Sequence, residues 1–470
     1  MTNIVKLDLS SFITEQVKDM SGMFTGCKSL KSLDLSMFST KKVTLMINMF
    51  ESCDNLNNID LTYFDTSKIS SMYKMFHGCI NLKSLNLKSF DTGMVRIFDM
   101  MFTKCSSLTS LDLKHFNTSI ATSFASMFED CNSLTNLEIN FNTEKTTNIE
   151  SMFKNCKKLL SIDLSGFKTN NINLMGYLFS GCESLKNIDL SNFITSNVND
   201  MAYMFENCYS LSSLNLHFDT SLVTDMSYMF KECIQITSLN LNSFNTKEVK
   251  NMRYMFYNME SLENIILSTQ FNTEKVESME KMFSGCKSLL NLDISNFKTS
   301  SLKNMNEMFN NCNKLKSLDF SLFQTNQIKN MSLLFNGCSS LTSLSLKFNT
   351  GLVENMKEMF KDCNNLKILD INDLDVSKNK DFSGMFKSCT NLNNLDIIKW
   401  DTSLANDMSS MFEECKSLTS LDLSNFETKV CNKFDNMFKG CDEKLTVVLS
   451  ELKAQNMINA IKDSVIVVNP

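Results

Sequence analysis

Seventeen cysteines lie along this 470-residue chain, and their spacing decides what chemistry they can do. Sixteen recur at one site roughly every 26 residues, from Cys27 and Cys53 to Cys415 and Cys441. Zinc centres draw on cysteine pairs with about two to four residues between them, and no such pair occurs. The column therefore reads as a ladder of small, buried, reduced thiols. Disulfides between stacked neighbours are the alternative. The leftover, Cys431, falls where other repeats carry Val17, Val43 or Val198. His77, His115 and His217 lie in different repeats at different sites and form no cluster. With no glycine-rich phosphate loop and no nucleophile near a base, no catalytic, metal-binding or cofactor-binding residue is expected.

Two other columns offer surface chemistry. Asp34, Asp60, Asp163 and Asp189 represent a carboxylate that recurs between two leucines. In a strand that position faces away from the core, so stacked copies would form an acidic ladder. Such a ladder either keeps the sheet solvated or docks cations and basic ligands. Tyr177, Tyr203, Tyr228 and Tyr254 hold one site in four consecutive repeats, with Tyr257 close by. On a helical wheel that site lies about 160° from the buried stripe, at 100° per residue. These five tyrosines are the primary candidate contact patch, because each ring offers rigid amphipathic area at low entropic cost. The four aspartates are the secondary candidate.

The frame that carries these columns is a repeat. A hydrophobic-Phe pair followed three residues later by Cys recurs from Phe24 and Phe50 to Phe412 and Phe438, in about 17 copies of 26 residues. A period in this range means stacked units, none of which buries its apolar face alone. Within one unit, Ile69, Met72, Met75, Phe76 and Cys79 keep the spacing of a helix face. Thr66 stands where an N-cap belongs and Gly78 where a helix closes. Leu82, Leu85 and Leu87 then follow the shorter rhythm of a strand. Each unit is thus expected to be a short strand, a turn bearing Phe and a helix of about three turns. The L-x-x-L-x-L strand half is that of a leucine-rich repeat. The expected fold is α/β, a leucine-rich-repeat-like right-handed solenoid with a parallel sheet on one face and short helices on the other. Residues 1–441 form it, and residues 442–470 cap it, with KLTVVLS as a strand and Leu452, Met457, Ile458 and Ile461 on one side of a helix.

Net charge is −6 with both signs interspersed, which gives no electrostatic case for nucleic acid. No apolar run approaches the roughly 18 residues of a membrane span, so no direct membrane insertion is expected. The opening MTNIVKLDLSSF reads as a repeat strand and not as a signal peptide.

The units MFTGCKSLKSLDLSMFST, MFSGCKSLLNLDISNFKTS and MFEECKSLTSLDLSNFETK closely resemble the repeat of BspA-family leucine-rich-repeat surface proteins, also called the mycoplasma-lipoprotein-associated repeat. The resemblance covers roughly residues 4 to 441. It implies a non-enzymatic adhesion or interaction scaffold at the cell surface, binding a protein or glycan over an extended face, with no cofactor. An intracellular adaptor that recruits a protein partner is the alternative, favoured by the lack of a leader or surface anchor.

Overall fold

The computed structural model describes residues 4–470, which form two compact units dividing after Ile236. In the first unit, β1 (Ser110–Asp112) pairs in parallel with β2 (Asn136–Glu138), placing Leu111 opposite Leu137. In the second, β3 (Ser238–Leu241) pairs with β4 (Asn264–Leu267), and β5 (Ser343–Ser345) with β6 (Ile368–Asp370). A three-stranded parallel sheet of β7 (Ser420–Asp422), β8 (Thr446–Val448) and β9 (Ile466–Val468) completes it. A second parallel ladder of single-residue bridges runs through each unit, for example Ile97↔Ser123↔Asn148 in the first and Asn355↔Asp381↔Asp407 in the second. Partners one repeat apart and in parallel define stacked coils. Each unit is a leucine-rich-repeat-like solenoid.

The helix expected in every repeat does not form. Among the described residues the only α-helix is α1 (Glu451–Ile461), which follows β8. In place of helices, each coil runs through consecutive tight turns whose N–H groups alternate in direction. Met20, Gly22, Phe24 and Gly26 donate to Leu45, Ile47, Met49 and Glu51 of the next coil, at 2.7–2.9 Å. The residues between them, Met23, Thr25 and Cys27, donate three residues back within their own coil. Turns that close over three residues return side chains to one face at nearly the helical spacing, which is why the apolar pattern matched both. Left-handed residues two before and two after the ladder Phe reverse the chain, as at Lys74 (φ 55°) and Gly78 (φ 74°). Gly78 therefore serves a turn and caps no helix.

The threonine column is likewise no set of N-caps. Thr66 is buried, and its Oγ1 donates to the Asp91 carbonyl of the next coil at 2.8 Å. One coil back, Thr40 Oγ1 donates to the Asp65 carbonyl at 3.1 Å and accepts the Asp65 N–H at 2.7 Å. One buried hydroxyl thus satisfies both backbone groups of a residue in the next coil where the chain turns inside the core.

The core is built of columns. Phe24 through Phe230 stack ring on ring in the first unit, with centroids 5.5–5.8 Å apart. Phe256 through Phe438 do so in the second, at 5.1–5.9 Å. Beside them the cysteines are free, and all are buried except the half-buried Cys441. From Cys53 onward each column thiol donates back to a Phe carbonyl of the preceding coil, Cys53 to Phe24 O and Cys312 to Phe283 O, both at 3.2 Å.

The C-terminal segment contains the expected strand and helix, followed by β9, which the sequence reading missed. On α1 the buried side chains are Ala454, Met457 and Ile461, whereas Leu452 is 94% exposed. Non-helical dihedrals at Ala454 rotate the first turn away from the face drawn on a regular wheel.

Candidate functional site

Tyr177, Tyr203, Tyr228 and Tyr254 all occupy the left-handed turn position two residues before the ladder Phe, with φ of 57–60°. That conformation is uncommon for a bulky residue. Inter-coil bonds hold it: Tyr177 N–H donates to Ala202 O and Tyr203 N–H to Ser227 O, both at 2.9 Å. With the backbone fixed in register, the three rings of the first unit fall on top of one another. Tyr177 and Tyr203 lie 4.3 Å apart at 8°, Tyr203 and Tyr228 4.4 Å apart at 7°. In the second unit Tyr254 and Tyr257 pack at 5.2 Å, tilted by 53°.

The helical wheel placed these rings on an outer face, and the turn geometry corrects it. All five are half-buried, because a left-handed turn lays the side chain along the coil edge against its neighbours. Lys154 Nζ sits 5.1 Å from the Tyr177 ring centre and also pairs with Glu129 at 2.9 Å. Lys231 Nζ lies 5.6 Å from the Tyr228 ring and 2.9 Å from Glu206, and Lys281 Nζ 5.4 Å from Tyr254. Burial, then the neighbouring Tyr203, pushes the Tyr177 hydroxyl up to about 12, so it stays a neutral hydrogen-bonding group. Rings stacked face to face spend their faces on each other. What Tyr203 offers a partner is its edge and hydroxyl.

Half-buried carboxylates flank the stack. Burial raises the pKa of Glu150 and of Asp200, and a neighbouring carboxylate, Asp200 and Asp225 respectively, raises each further. Gly176 makes room for Asp200: a Cβ there would stand 3.3 Å from its Oδ2. The sequence reading missed these carboxylates and the lysines over the rings. A signal existed, since the residue after the ladder Phe reads Glu129 and Lys154, then Glu206 and Lys231 in later repeats.

Asp34, Asp60, Asp163 and Asp189 are exposed, as expected, yet each already has a local partner. Their Oδ1 atoms accept the N–H two residues on, from Ser36, Thr62, Ser165 and Ser191, at 2.9–3.0 Å. Those N–H groups hold the Asp34 and Asp189 carboxyls below the usual range, and the Thr62 and Ser165 hydroxyls lead for Asp60 and Asp163. The aspartate column thus terminates each strand segment with a side-chain turn. The tyrosines of each unit meet one another; the aspartates sit in a separate column.

A family model described as "Mycoplasma protein of unknown function, DUF285" matches residues 1–85, 57–167, 136–237, 175–268, 264–369 and 342–451. The chain belongs to the DUF285 family. No curated protein matches it. A leucine-rich repeat protein from Eubacterium ventriosum is similar at 16% identity and a TM-score of 0.33, over 79% of this chain and 83% of that one. The functional domain of InlJ from Listeria monocytogenes, which includes a cysteine ladder, is similar at 12% identity and a TM-score of 0.20, over 98% and 65%. The plant peptide hormone receptor RGFR1 in complex with RGF2 is similar at 15% and 0.25, over 95% and 68%. No helix among the described residues of this DUF285 chain is long and apolar enough to cross a membrane.

Proposed function

We propose that this DUF285 protein is a non-enzymatic interaction scaffold whose tyrosine column, Tyr177, Tyr203 and Tyr228, contacts a protein or glycan. The observation that carries this reading is the ring stack at 4.3 and 4.4 Å, built on left-handed turns and left half-exposed. Residues so constrained lose little entropy on binding, and tyrosine is enriched at contact hot spots. The resemblance to BspA-family surface proteins supports an adhesion role outside the cell, and Tyr254 with Tyr257 forms a second, smaller contact of the same type.

The test is binding of the purified chain to a panel of matrix proteins and glycans, repeated with Tyr203→Ala plus Tyr228→Ala and separately with Asp189→Asn. The tyrosine pair is expected to weaken the strongest interaction by about 2 kcal/mol or more. Because the rings also stack, the same pair should lower stability by about 1 to 2 kcal/mol, so folding is checked by thermal melting. Loss of binding with Asp189→Asn alone would move the site to the aspartate column.

A further inference from the structure

Through the second unit, three or four N–H groups of each inner coil's turn segment are taken up by carbonyls of the next. Met408, Ser410, Phe412 and Glu414 donate to Lys433, Asp435, Met437 and Lys439, at 2.8–3.0 Å. The coil bearing Phe438 is the last of the ladder, and there the pattern stops. Among the described residues, no acceptor meets the N–H groups of Phe434, Asn436, Phe438 or Gly440. The C-terminal segment covers this coil elsewhere. β8 pairs with β7, and Asn456 of α1 donates to the Thr428 and Cys431 carbonyls at 2.6 Å. Between the turn segment and the end of α1 a crevice of about 420 Å3 remains, lined by Phe434, Asn436 and Phe438 on one side and Ala460, Ile461 and Ser464 on the other.

We infer that this crevice takes an extended peptide segment of a partner protein, whose alternate carbonyls continue the ladder. The inner coils define the ligand. What lies on this edge in the inner joints is a main chain with an acceptor at about each second residue and apolar side chains, most often in the order Met-x-x-Met-Phe, as in Met408, Met411 and Phe412, with Phe382 or Leu334 replacing a Met elsewhere. A row of unpaired backbone donors is the arrangement by which sheet edges capture peptides, with the backbone giving affinity and alternate side chains giving specificity. The crevice has room for a segment and not for a whole coil, which favours a peptide over a second solenoid. This site lies in the second unit and is independent of the Tyr177–Tyr228 contact.

The probe is a synthetic peptide with the sequence of Asp407–Cys415, carrying serine in place of the cysteine, against a scrambled control. In the free chain, the amides of Asn436, Phe438 and Gly440 should exchange with deuterium at least about 100-fold faster than those of Ser410, Phe412 and Glu414, and slow on peptide addition. Saturable binding should weaken at least tenfold with Ala460→Trp, which fills the crevice from an exposed position, and be unchanged by Leu452→Ala on the solvent side of α1. Equal amide protection in the free chain would overturn the inference, as would binding indifferent to Ala460→Trp in a chain that still melts normally. Concentration-dependent self-association abolished by Ala460→Trp would also overturn it, by making the occupant a second copy.

Discussion

Gly181 shows how one residue sets the contact between coils. It has φ +73°, and a Cβ added there would stand 2.2 Å from Asn155 Oδ1. Positive φ alone is tolerated, since Asn155 itself has φ 57°. The clash is the larger matter. Asn155 Nδ2 donates to Asp130 Oδ1 at 2.8 Å, so swinging the amide aside for a methyl group forfeits that bond. Gly181→Ala should cost about 2 kcal/mol, the sum of left-handed strain and a lost hydrogen bond. Gly26→Ala provides the comparison, because it has φ +71° but nothing within 4 Å of the new methyl. It should cost about 1 kcal/mol. Denaturant melts of the two variants measure the difference, and equal losses would show that the clash is relieved freely.

At the scale of the element, the stacked turns depend on the threonine column that spans them. Thr325 Oγ1 donates to Asn349 O at 2.8 Å and Thr402 Oγ1 to Glu427 O at 3.0 Å. Between them the column is broken by Val376, which is 2% exposed and has no donor to offer the corresponding carbonyl of Asp401. Val376→Thr is nearly isosteric and restores that donor. It should raise stability by about 0.5 to 1 kcal/mol, read as a higher melting temperature. Thr299→Val, which removes a bond of 2.9 Å to Gln324 O and the acceptor of the Gln324 N–H at 2.7 Å, should lower it by about 1 to 3 kcal/mol. Should both variants melt like the parent, the hydroxyls are dispensable and packing alone holds the turns.

For the whole molecule, the thiol columns predict a sharp response to alkali. Burial, the first cause in each case, pushes Cys53, Cys182, Cys286 and Cys338 up to about 12. An unfolded thiol ionises near pH 8.5. Above that pH the unfolded chain has lost protons that the folded chain retains, so stability falls as pH rises. The contribution is whole below about pH 8.5 and is lost through the folded values near 12, at about 1.4 kcal/mol per pH unit for each such thiol. Burial raises the column thiols from Cys53 to Cys415 in the same direction, and melting temperature should drop steeply between about pH 9 and 10.5. Replacing Cys182 and Cys286 with Ala should flatten the slope even as it lowers stability at neutral pH. A melting temperature flat to pH 11 would contradict the buried ladder. Cys441, half-buried and pushed up only to about 11, should be the first thiol to react with a maleimide.

Period, register and core composition were legible from residues alone, because a side chain that stacks on its own copy must recur at the same interval. The buried cysteine column and the phenylalanine ladder followed from that rule. The exposure of Asp34 and Asp189 followed from strand alternation. What only the tertiary structure decided is where the backbone hydrogen bonds go. Apolar residues at offsets of three and four suit a helix, which bonds to itself, and equally suit tight turns, which bond to the next coil. The difference lies between coils, where Phe24 N–H meets Met49 O, and no single repeat contains it. The same choice moved Tyr177, Tyr203 and Tyr228 from an outer helix face to a half-buried stack, since a ring's neighbours are set by the coil above and below it. It also left the donors of Phe434, Asn436, Phe438 and Gly440 unanswered among the described residues, because α1 bonds to itself and its contacts to the last coil, through Asn456 and the Lys453 carbonyl, fall at Thr428 and Cys431.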